Sequence, residues 1–282
     1  MNGTLAKVKA HWPEYLMEAF GLGIFMVSAC AFGVLLFHPD SYLAGFDHSI
    51  RNILMGVAMG STAIAIFKSP WGKRSGAHIN PVVTLTFYRL RKIAGVDAFF
   101  YSIGQFVGAI VGVWLAWMVF GTQLAASEVN FVATVPGMWG IVAAFAGEFG
   151  IAFVMMTMVL NVGNHKVLNR FTPYIAGLLV ALYITFESPI SGMSMNPART
   201  FGSAVFADTW TGWWIYFTAP LIAMLAAAEL YVRTRGLKKV FCAKLDHGGK
   251  VRCIFDCRFD EVGVANDVAK SPLNFKPVKG LF

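Results

Sequence analysis

One short pattern occurs twice in this chain and begins a helix each time. Ser75-Gly76 is followed by three residues and Asn80-Pro81, and Ser191-Gly192 by three residues and Asn196-Pro197. An Asn side chain can accept hydrogen bonds from the free N–H groups at a helix start, and Pro fits the first helical position. The mostly apolar runs that follow, Val83 to Leu90 and Thr200 to Ala207, are too short to cross a hydrocarbon core, which takes about 20 residues. The pattern therefore predicts two half-length helices, beginning at Asn80 and Asn196.

The rest of the chain has the composition of a membrane protein. Apolar residues make up 57% of it and charged residues 13%, and the mean hydropathy is +0.61. The net charge is +8. The positively charged residues lie outside the apolar stretches, which fits membrane orientation better than binding of nucleic acid. We predict an all-α membrane protein with six transmembrane helices, the fifth of them short, near residues 13–37, 50–67, 97–120, 139–162, 172–187 and 212–232.

Lys and Arg residues are distributed unevenly among the connections between these stretches. Most lie in the N-terminus, in the connections after the second and fourth spans and in the C-terminal region, whereas the other loops hold only Arg51 and Arg199. Positively charged loops face the cytoplasm, so both termini are predicted to be cytoplasmic. The predicted organisation is a cytoplasmic N-terminus (1–12), a first membrane repeat (13–120), an extracytoplasmic loop (121–138), a second membrane repeat (139–232) and a basic, soluble, Cys-containing cytoplasmic tail (233–282).

The half-helices then enter the membrane from opposite faces, because one follows the second span and the other the fifth. A second match, Glu18-Ala19-Phe20-Gly21 against Glu148-Phe149-Gly150, also indicates a duplication. With three spans each, the halves are inverted copies. About ten helical residues rise ~15 Å, so the two Asn-Pro starts are predicted to meet near the bilayer midplane.

Irregular backbone at the midplane is tolerated only where it is buried in protein or lines a wet cavity. The loops before the half-helices are therefore predicted to line a water-filled path. The side-chain N–H donors of Asn80 and Asn196 lie at its midpoint, so the path suits a neutral molecule that both donates and accepts hydrogen bonds. A cation meets two positive helix ends and Arg199, and a proton meets water whose lone pairs the Asn donors occupy. The carbonyl groups predicted to line the path are those of Gly76, Ala77, His78, Gly192, Met193 and Ser194.

Four side chains beside the repeated pattern have both functional and structural interpretations. Arg199 lies at membrane depth, where Arg is costly and indicates function; the alternative is an Arg that reaches the outer headgroups. Glu18 and Glu148 are predicted to brace the loops by accepting backbone N–H bonds, with pore lining or proton relay as the alternative. His78 is predicted to supply its carbonyl and to have a satisfied ring, with gating by protonation as the alternative.

Two Asn-Pro half-helices in inverted three-span halves, with Arg199 after the second, resemble the major intrinsic protein (aquaporin) family over residues 11–233. The resemblance implies a passive channel without a cofactor, which forms a homotetramer in the lipid bilayer of a plasma or bacterial inner membrane. It places the family's paired boxes on Asn80-Pro81-Val82 and Asn196-Pro197-Ala198, with Val82 where the family has Ala. It places the outer constriction, or selectivity filter, on Met55, Ile184, Met193 and Arg199.

Two sets of positions distinguish water channels from glycerol channels in this family, and in this chain they indicate different solutes. Ile184 and Met55 replace the His and the aromatic residue of strict water channels. Thr200, Ala204 and the pair Tyr216-Phe217 instead correspond to the water type. The resemblance therefore implies a water channel with some permeability to small neutral solutes such as glycerol, urea or peroxide, and the alternative is a channel mainly for glycerol or another uncharged solute.

Other classes of membrane protein fit less well. A secondary transporter also uses inverted repeats and broken helices, but no acidic residue falls beside Asn80 or Asn196 to couple an ion. The spans contain no Ser/His/Asp set, metal-ligand cluster or phosphate-binding glycine loop, so no enzyme is predicted. A structural junction protein of the same fold is the remaining alternative. The small residues Gly104, Gly108 and Gly112 permit close helix contact, between subunits or within one.

The C-terminal tail contains a C-x4-H-x5-C-x3-C run. Its members Cys242, His247, Cys253 and Cys257 could close a small structural zinc site. Because the spacing matches no common zinc finger, the preferred prediction is an ordinary reduced tail without a metal, and a zinc site is the alternative.

Overall fold

The computed structural model of the protein describes residues 2–248 and 251–262. These residues form α-helices joined by loops and three short 3-10 helices (Asn130–Val132, Leu168–Phe171 and Leu237–Lys239). The predicted all-α class is confirmed. In chain order the α-helices are α1 (Asn2–Phe37), α2 (His48–Lys68), α3 (Pro70–Ser75), α4 (Pro81–Arg89), α5 (Gly95–Phe120), α6 (Thr122–Ala125), α7 (Gly140–Gly163), α8 (Thr172–Phe186), α9 (Ser188–Ser191), α10 (Pro197–Ala207) and α11 (Trp213–Arg235).

Six long helices lie where the sequence predicts the spans, with one large difference, at the start of α1. Five of them (α1, α2, α5, α7 and α11) are long and apolar enough to cross a membrane. The sixth, α8, has 15 residues and rises only ~22 Å. The helix α1 begins well before the predicted span, because Pro13 lies inside it without ending it. Much of the predicted N-terminal segment is therefore helical, and Met1 lies outside the described residues.

The helices form two halves that interlock. The first half consists of α1, α2, α4 and α5, and the second of α7, α8, α10 and α11. In corresponding positions α1 packs on α5 and α7 packs on α11, while α2 and α8 pack on each other between the halves. The half-helix α10 packs mainly on α5 of the other half, and α4 contacts α11.

Three glycines of α5 bring it close to α1. A Cβ atom at Gly108 would lie 2.0 Å from the carbonyl oxygen of Ala19, and one at Gly112 would lie 2.5 Å from that of Gly23. At Gly104 the corresponding distance to the carbonyl oxygen of Tyr15 is 2.8 Å. Any side chain would force the helices apart, so this glycine stripe packs two helices of one subunit.

Both predicted half-helix starts are confirmed. Asn80 is the N-cap of α4, and its side chain accepts a hydrogen bond from Val82 N (2.9 Å). Asn196 is the N-cap of α10 and accepts from the backbone N–H groups of Ala198 (3.1 Å) and Arg199 (3.3 Å).

The described part of the tail packs against the helix bundle, which its basic composition did not indicate. Val240 and Ala243 are completely buried, and Leu245 and Phe255 nearly so. These apolar side chains pack with the core of the helix bundle, which removes them from water. Residues 249–250 and 263–282 of the predicted tail lie outside the described residues.

Candidate functional site

The two half-helix starts meet and are joined by a reciprocal pair of hydrogen bonds. The Asn80 side-chain N–H group donates to the carbonyl oxygen of Met195 (2.7 Å), and that of Asn196 donates to the carbonyl oxygen of Ile79 (2.8 Å). A side-chain amide carries two N–H donors. Each Asn therefore ties the loops together with one donor and retains a second.

The loops before the two half-helices are held by buried carboxylates in matching ways. Glu18 accepts from the backbone N–H groups of His78 (3.0 Å) and Ile79 (2.6 Å), and Glu148 accepts from those of Ser194 (2.6 Å) and Met195 (2.7 Å). The hydroxyl groups of Ser75 and Ser191 also donate to these carboxylates. A carboxylate held by several donors fixes the loop backbone on a rigid transmembrane helix.

The loops need this support because their backbone is strained in the same places. Ala77 and Met193 have φ of 52° and 47°, and Ile79 and Met195 have φ of 40° and 54°. Side-chain-bearing residues in this left-handed region cost of order 1–3 kcal/mol each. The preceding glycines, Gly76 (φ 97°) and Gly192 (φ 83°), adopt positive φ at little cost.

Sequence reasoning missed two further pairs that hold the loops. The hydroxyl groups of Tyr101 and Tyr216 donate to the carbonyl oxygens of Ser75 and Ser191. Thr84 bonds the ring of His78 (3.0 Å), and Thr200 bonds the hydroxyl group of Ser194 (2.6 Å). Thr84 and Thr200 are separated by the same offset as the two Asn residues, so the repeat itself contained the signal for this pair.

A cavity of about 390 Å³ passes the point where the loops meet. Its wall includes polar atoms from both loops but is dominated by apolar side chains of α1, α2, α7 and α8. Pro81, Val82, Pro197 and Ala198 are buried and are not among its lining residues. The predicted site residues that line the cavity are Met55, His78, Asn80, Ile184, Gly192, Met193, Ser194, Asn196 and Arg199.

Two predicted path residues lie outside the cavity wall. Gly76 and Ala77 are buried but do not line the cavity. The tail covers the loop here: the Gly76 carbonyl accepts a hydrogen bond from Leu245 N (3.2 Å), and Leu245 itself lines the cavity. A distant segment thus engages the Gly76 carbonyl group, which the sequence placed along the path.

Arg199 lies in the cavity wall among the four predicted filter residues. Its Nη1 atom donates to the carbonyl oxygen of Val132 (2.8 Å), in the loop between α5 and α7. Beside it, the Thr200 hydroxyl group bonds those of Thr134 (2.8 Å) and Ser194 (2.6 Å). The bond to Val132 fixes the direction of the guanidinium and leaves further N–H donors for a passing molecule.

The ring of His78 is fully engaged. Its Nδ1 atom bonds Thr84, and its Nε2 atom lies 2.9 Å from the carbonyl oxygen of Ala243 in the tail. Phe87 and Phe255 stack on its two sides, at ring-centroid distances of 5.2 and 5.4 Å. His78 therefore joins the first loop to the tail.

The four Cys and His residues of the tail lie together. One ligand atom from each of Cys242, His247, Cys253 and Cys257 lies within 4.8 Å of the others. The preferred prediction from the sequence was a reduced tail without a metal, yet the fold brings all four side chains together.

Comparisons with known proteins point to one family. The profile of the family described as Major intrinsic protein matches residues 5–231. Aquaporin NIP2-3 of Zea mays is 32% identical over 72% of this chain and 65% of its own length, so the chain spans less than two thirds of that relative. Aquaporin AqpM of Methanothermobacter marburgensis is 33% identical over 64% of this chain and 75% of its own length.

A solved structure shares the fold. The aquaglyceroporin from Plasmodium falciparum has a TM-score of 0.63 and covers 78% of this chain and 95% of its own. At 21% identity this likeness concerns the fold alone.

Proposed function

This chain belongs to the major intrinsic protein family, and we propose that it is a passive channel for water, with some permeability to small neutral solutes, that excludes ions and protons. One observation carries the proposal. Two helix starts meet at the wall of a cavity, and each capping Asn keeps an N–H donor beyond the one that ties the loops together. This arrangement serves a molecule that passes through and needs no reacting group.

Ion exclusion follows from the charges around the cavity. The N-termini of α4 and α10 each carry about half a positive charge, and Arg199 adds a full one in the cavity wall. The acidic residue Glu128 also lines the cavity, but it is exposed to solvent, which screens its charge. Cations are repelled there. A water molecule whose oxygen accepts from Asn80 and Asn196 has no lone pair left to receive a proton from its neighbour, so a proton cannot be passed along the file.

The composition of the filter supports permeability beyond water. Met55, Ile184 and Met193 provide three apolar walls and Arg199 one polar wall. An apolar wall accepts the carbon side of a small alcohol and offers water fewer hydrogen bonds. Thr200, by contrast, is a water-type residue, and its hydroxyl group is engaged with Thr134 and Ser194. We therefore place water first and glycerol or urea second.

A channel mainly for glycerol is the second candidate, because the cavity wall is dominated by apolar side chains. A secondary transporter is a weaker third. The acidic side chains nearest the loops, Glu18 and Glu148, are committed to backbone N–H groups, and neither lines the cavity. Neither side chain is therefore placed to couple transport to an ion. Glu128 does line the cavity, but it is exposed and bonds the hydroxyl group of Ser127.

The setting of the channel is part of the proposal. The distribution of Lys and Arg supports cytoplasmic termini, so the tail faces the cytoplasm, in a plasma or bacterial inner membrane. Apolar side chains remain exposed on the bundle surface, including Met118, Val119 and Leu178, where lipid or neighbouring subunits cover them. The family supports a homotetramer with one pore in each subunit.

Stopped-flow light scattering on vesicles that contain the purified protein tests the function. Water flux should exceed that of protein-free vesicles, with slower but measurable flux of glycerol or urea and no ion conductance. Glycerol flux without water flux above the lipid background would establish the second candidate. Flux that saturates or depends on an ion gradient would establish a transporter.

A further inference from the structure

The cluster in the tail has the dimensions of a tetrahedral metal site. In a zinc site with Zn–S bonds of about 2.3 Å, two sulfur ligands lie about 3.8 Å apart. The Sγ atoms of Cys242 and Cys253 are 3.6 Å apart, and the Nε2 atom of His247 lies 3.1 Å from Cys257 Sγ. Since all four ligand atoms lie within 4.8 Å of one another, an ion at their centre requires only side-chain adjustments of about 1 Å or less.

Backbone N–H groups lie beside the three cysteines of the cluster. Those of Lys244, Phe255 and Phe259, each two residues after a cysteine, hydrogen-bond the sulfur atoms of Cys242, Cys253 and Cys257. Such neighbours are the outer partners that orient the ligands of a metal site.

The ligand geometry is held by its own contacts. The imidazole ring of His247 stacks on Phe259 with a centroid distance of 4.0 Å. The backbone N–H group of Arg258 donates to the Phe241 carbonyl (2.8 Å), which joins the two ends of the segment that contains the ligands. Residues 240–248 and 251–258 are neither helix nor strand. A segment without regular hydrogen bonding gains much of its order from a cross-link, and a structural metal supplies one.

The segment so closed covers one end of the pore. Ala243 bonds His78, Leu245 bonds Gly76, and Phe255 stacks on His78. Ion pairs surround these contacts: Asp246 lies 3.1 Å from Lys68, and Asp256 lies 3.1 Å from Lys92. We call this end of the cavity, lined by His78 and Leu245, the tail mouth.

We propose that Cys242, His247, Cys253 and Cys257 bind one structural Zn²⁺ ion, which fastens the tail over the tail mouth. Three thiolates and one imidazole are a ligand set that zinc prefers, and four protein ligands make a closed site that leaves no position for catalysis. The site does not depend on which molecule the channel carries.

Elemental analysis of the purified full-length protein tests the site. We expect about one zinc ion per chain and at least ~10-fold less in the double variant Cys253→Ser/Cys257→Ser. The matched control is Cys30→Ser, because Cys30 is a buried cysteine of α1 far from the cluster in the chain; it should retain zinc. Equal zinc content in the double variant and the unmodified protein would overturn the proposal, and so would zinc-free protein after purification under reducing conditions without a chelator.

A spectroscopic measurement on the unmodified chain does not depend on how the variants fold. Removing zinc with a chelator and adding Co²⁺ should give the visible absorption of a tetrahedral cobalt ion together with thiolate-to-cobalt charge transfer. Adding Zn²⁺ should abolish both signals. Absorption typical of six-coordinate cobalt, without the thiolate band, would contradict the assigned ligands.

Discussion

Residue 184 tests the proposed filter, because Ile184 faces a cavity that also contains the only filter charge, Arg199. The guanidinium donates hydrogen bonds but cannot accept them. Met55 and Met193 add little polarity, since a thioether is only a weak acceptor. A molecule at this level therefore finds donors on one side and apolar surface on the others.

The variant Ile184→His should narrow permeation toward water. An imidazole adds a hydrogen-bonding partner for water and fills space that the carbon atoms of glycerol need, so glycerol or urea flux should fall by about 10-fold or more while water flux is retained. Stopped-flow measurements of both fluxes in vesicles of matched protein content give the ratio. The control Ile184→Leu keeps the wall apolar and should keep the ratio. Unchanged glycerol and urea flux in the His variant would show that the filter lies elsewhere.

At this scale, local sequence signals predicted some contacts and missed others. Asn followed by Pro is a local signal, and the caps Asn80 and Asn196 could be predicted from it. Tyr101 and Tyr216 could not, because an aromatic residue in a transmembrane helix has no local mark that its hydroxyl group will reach a loop. Gly76 shows the same limit, since its carbonyl partner, Leu245, is far away in the sequence.

Among the elements, the contact between α1 and α5 limits what the fold tolerates. Gly108 lies on a stripe of three glycines where backbone meets backbone, whereas Gly150 of α7 has open space where a Cβ atom would be. Both glycines thus lie in transmembrane helices, but only Gly108 lies against the backbone of another helix.

The variant Gly108→Ala should destabilise the bundle, because its Cβ atom would lie 2.0 Å from the Ala19 carbonyl oxygen. Forcing the helices apart costs about 1–3 kcal/mol. The control Gly150→Ala should be neutral or stabilising by up to about 1 kcal/mol, because Ala favours helix more than Gly does. Thermal unfolding in detergent, followed by the loss of monodisperse protein, measures both. A Gly108→Ala variant as stable as Gly150→Ala would contradict the close packing.

Element positions were largely predictable, and their ends were less so. Apolar length located the six long helices, because a span must cover the hydrocarbon core. The start of α1 was missed because the predicted span covered only the apolar stretch, whereas the helix begins in the more polar N-terminus and continues through Pro13. The short α8 survives because it packs along α2, where Gly56 and Gly60 allow close approach to Ala181 and Gly177.

For the whole molecule, the C-terminal tail connects the end of the chain to the first half of the bundle. Residues after α11, at the end of the second half, close over the loop of the first half at His78. Composition predicted a soluble tail, since the segment is basic. Its buried members, Val240, Ala243 and Phe255, are scattered among charged residues and give no periodic signal.

Loosening the tail should therefore open the tail mouth, where Leu245 contributes to the cavity wall. We expect His247→Ala to raise water permeability per channel several-fold, since the loss of one ligand weakens the proposed zinc site and lets Leu245 leave the wall. Treating vesicles of the unmodified protein with a membrane-permeable chelator should have the same effect, and added Zn²⁺ should reverse it. The control Asp260→Asn changes an exposed carboxylate of the tail and should behave like the unmodified chain. If His247→Ala lost zinc but conducted water at the unmodified rate, the tail would bind the metal without restricting the pore.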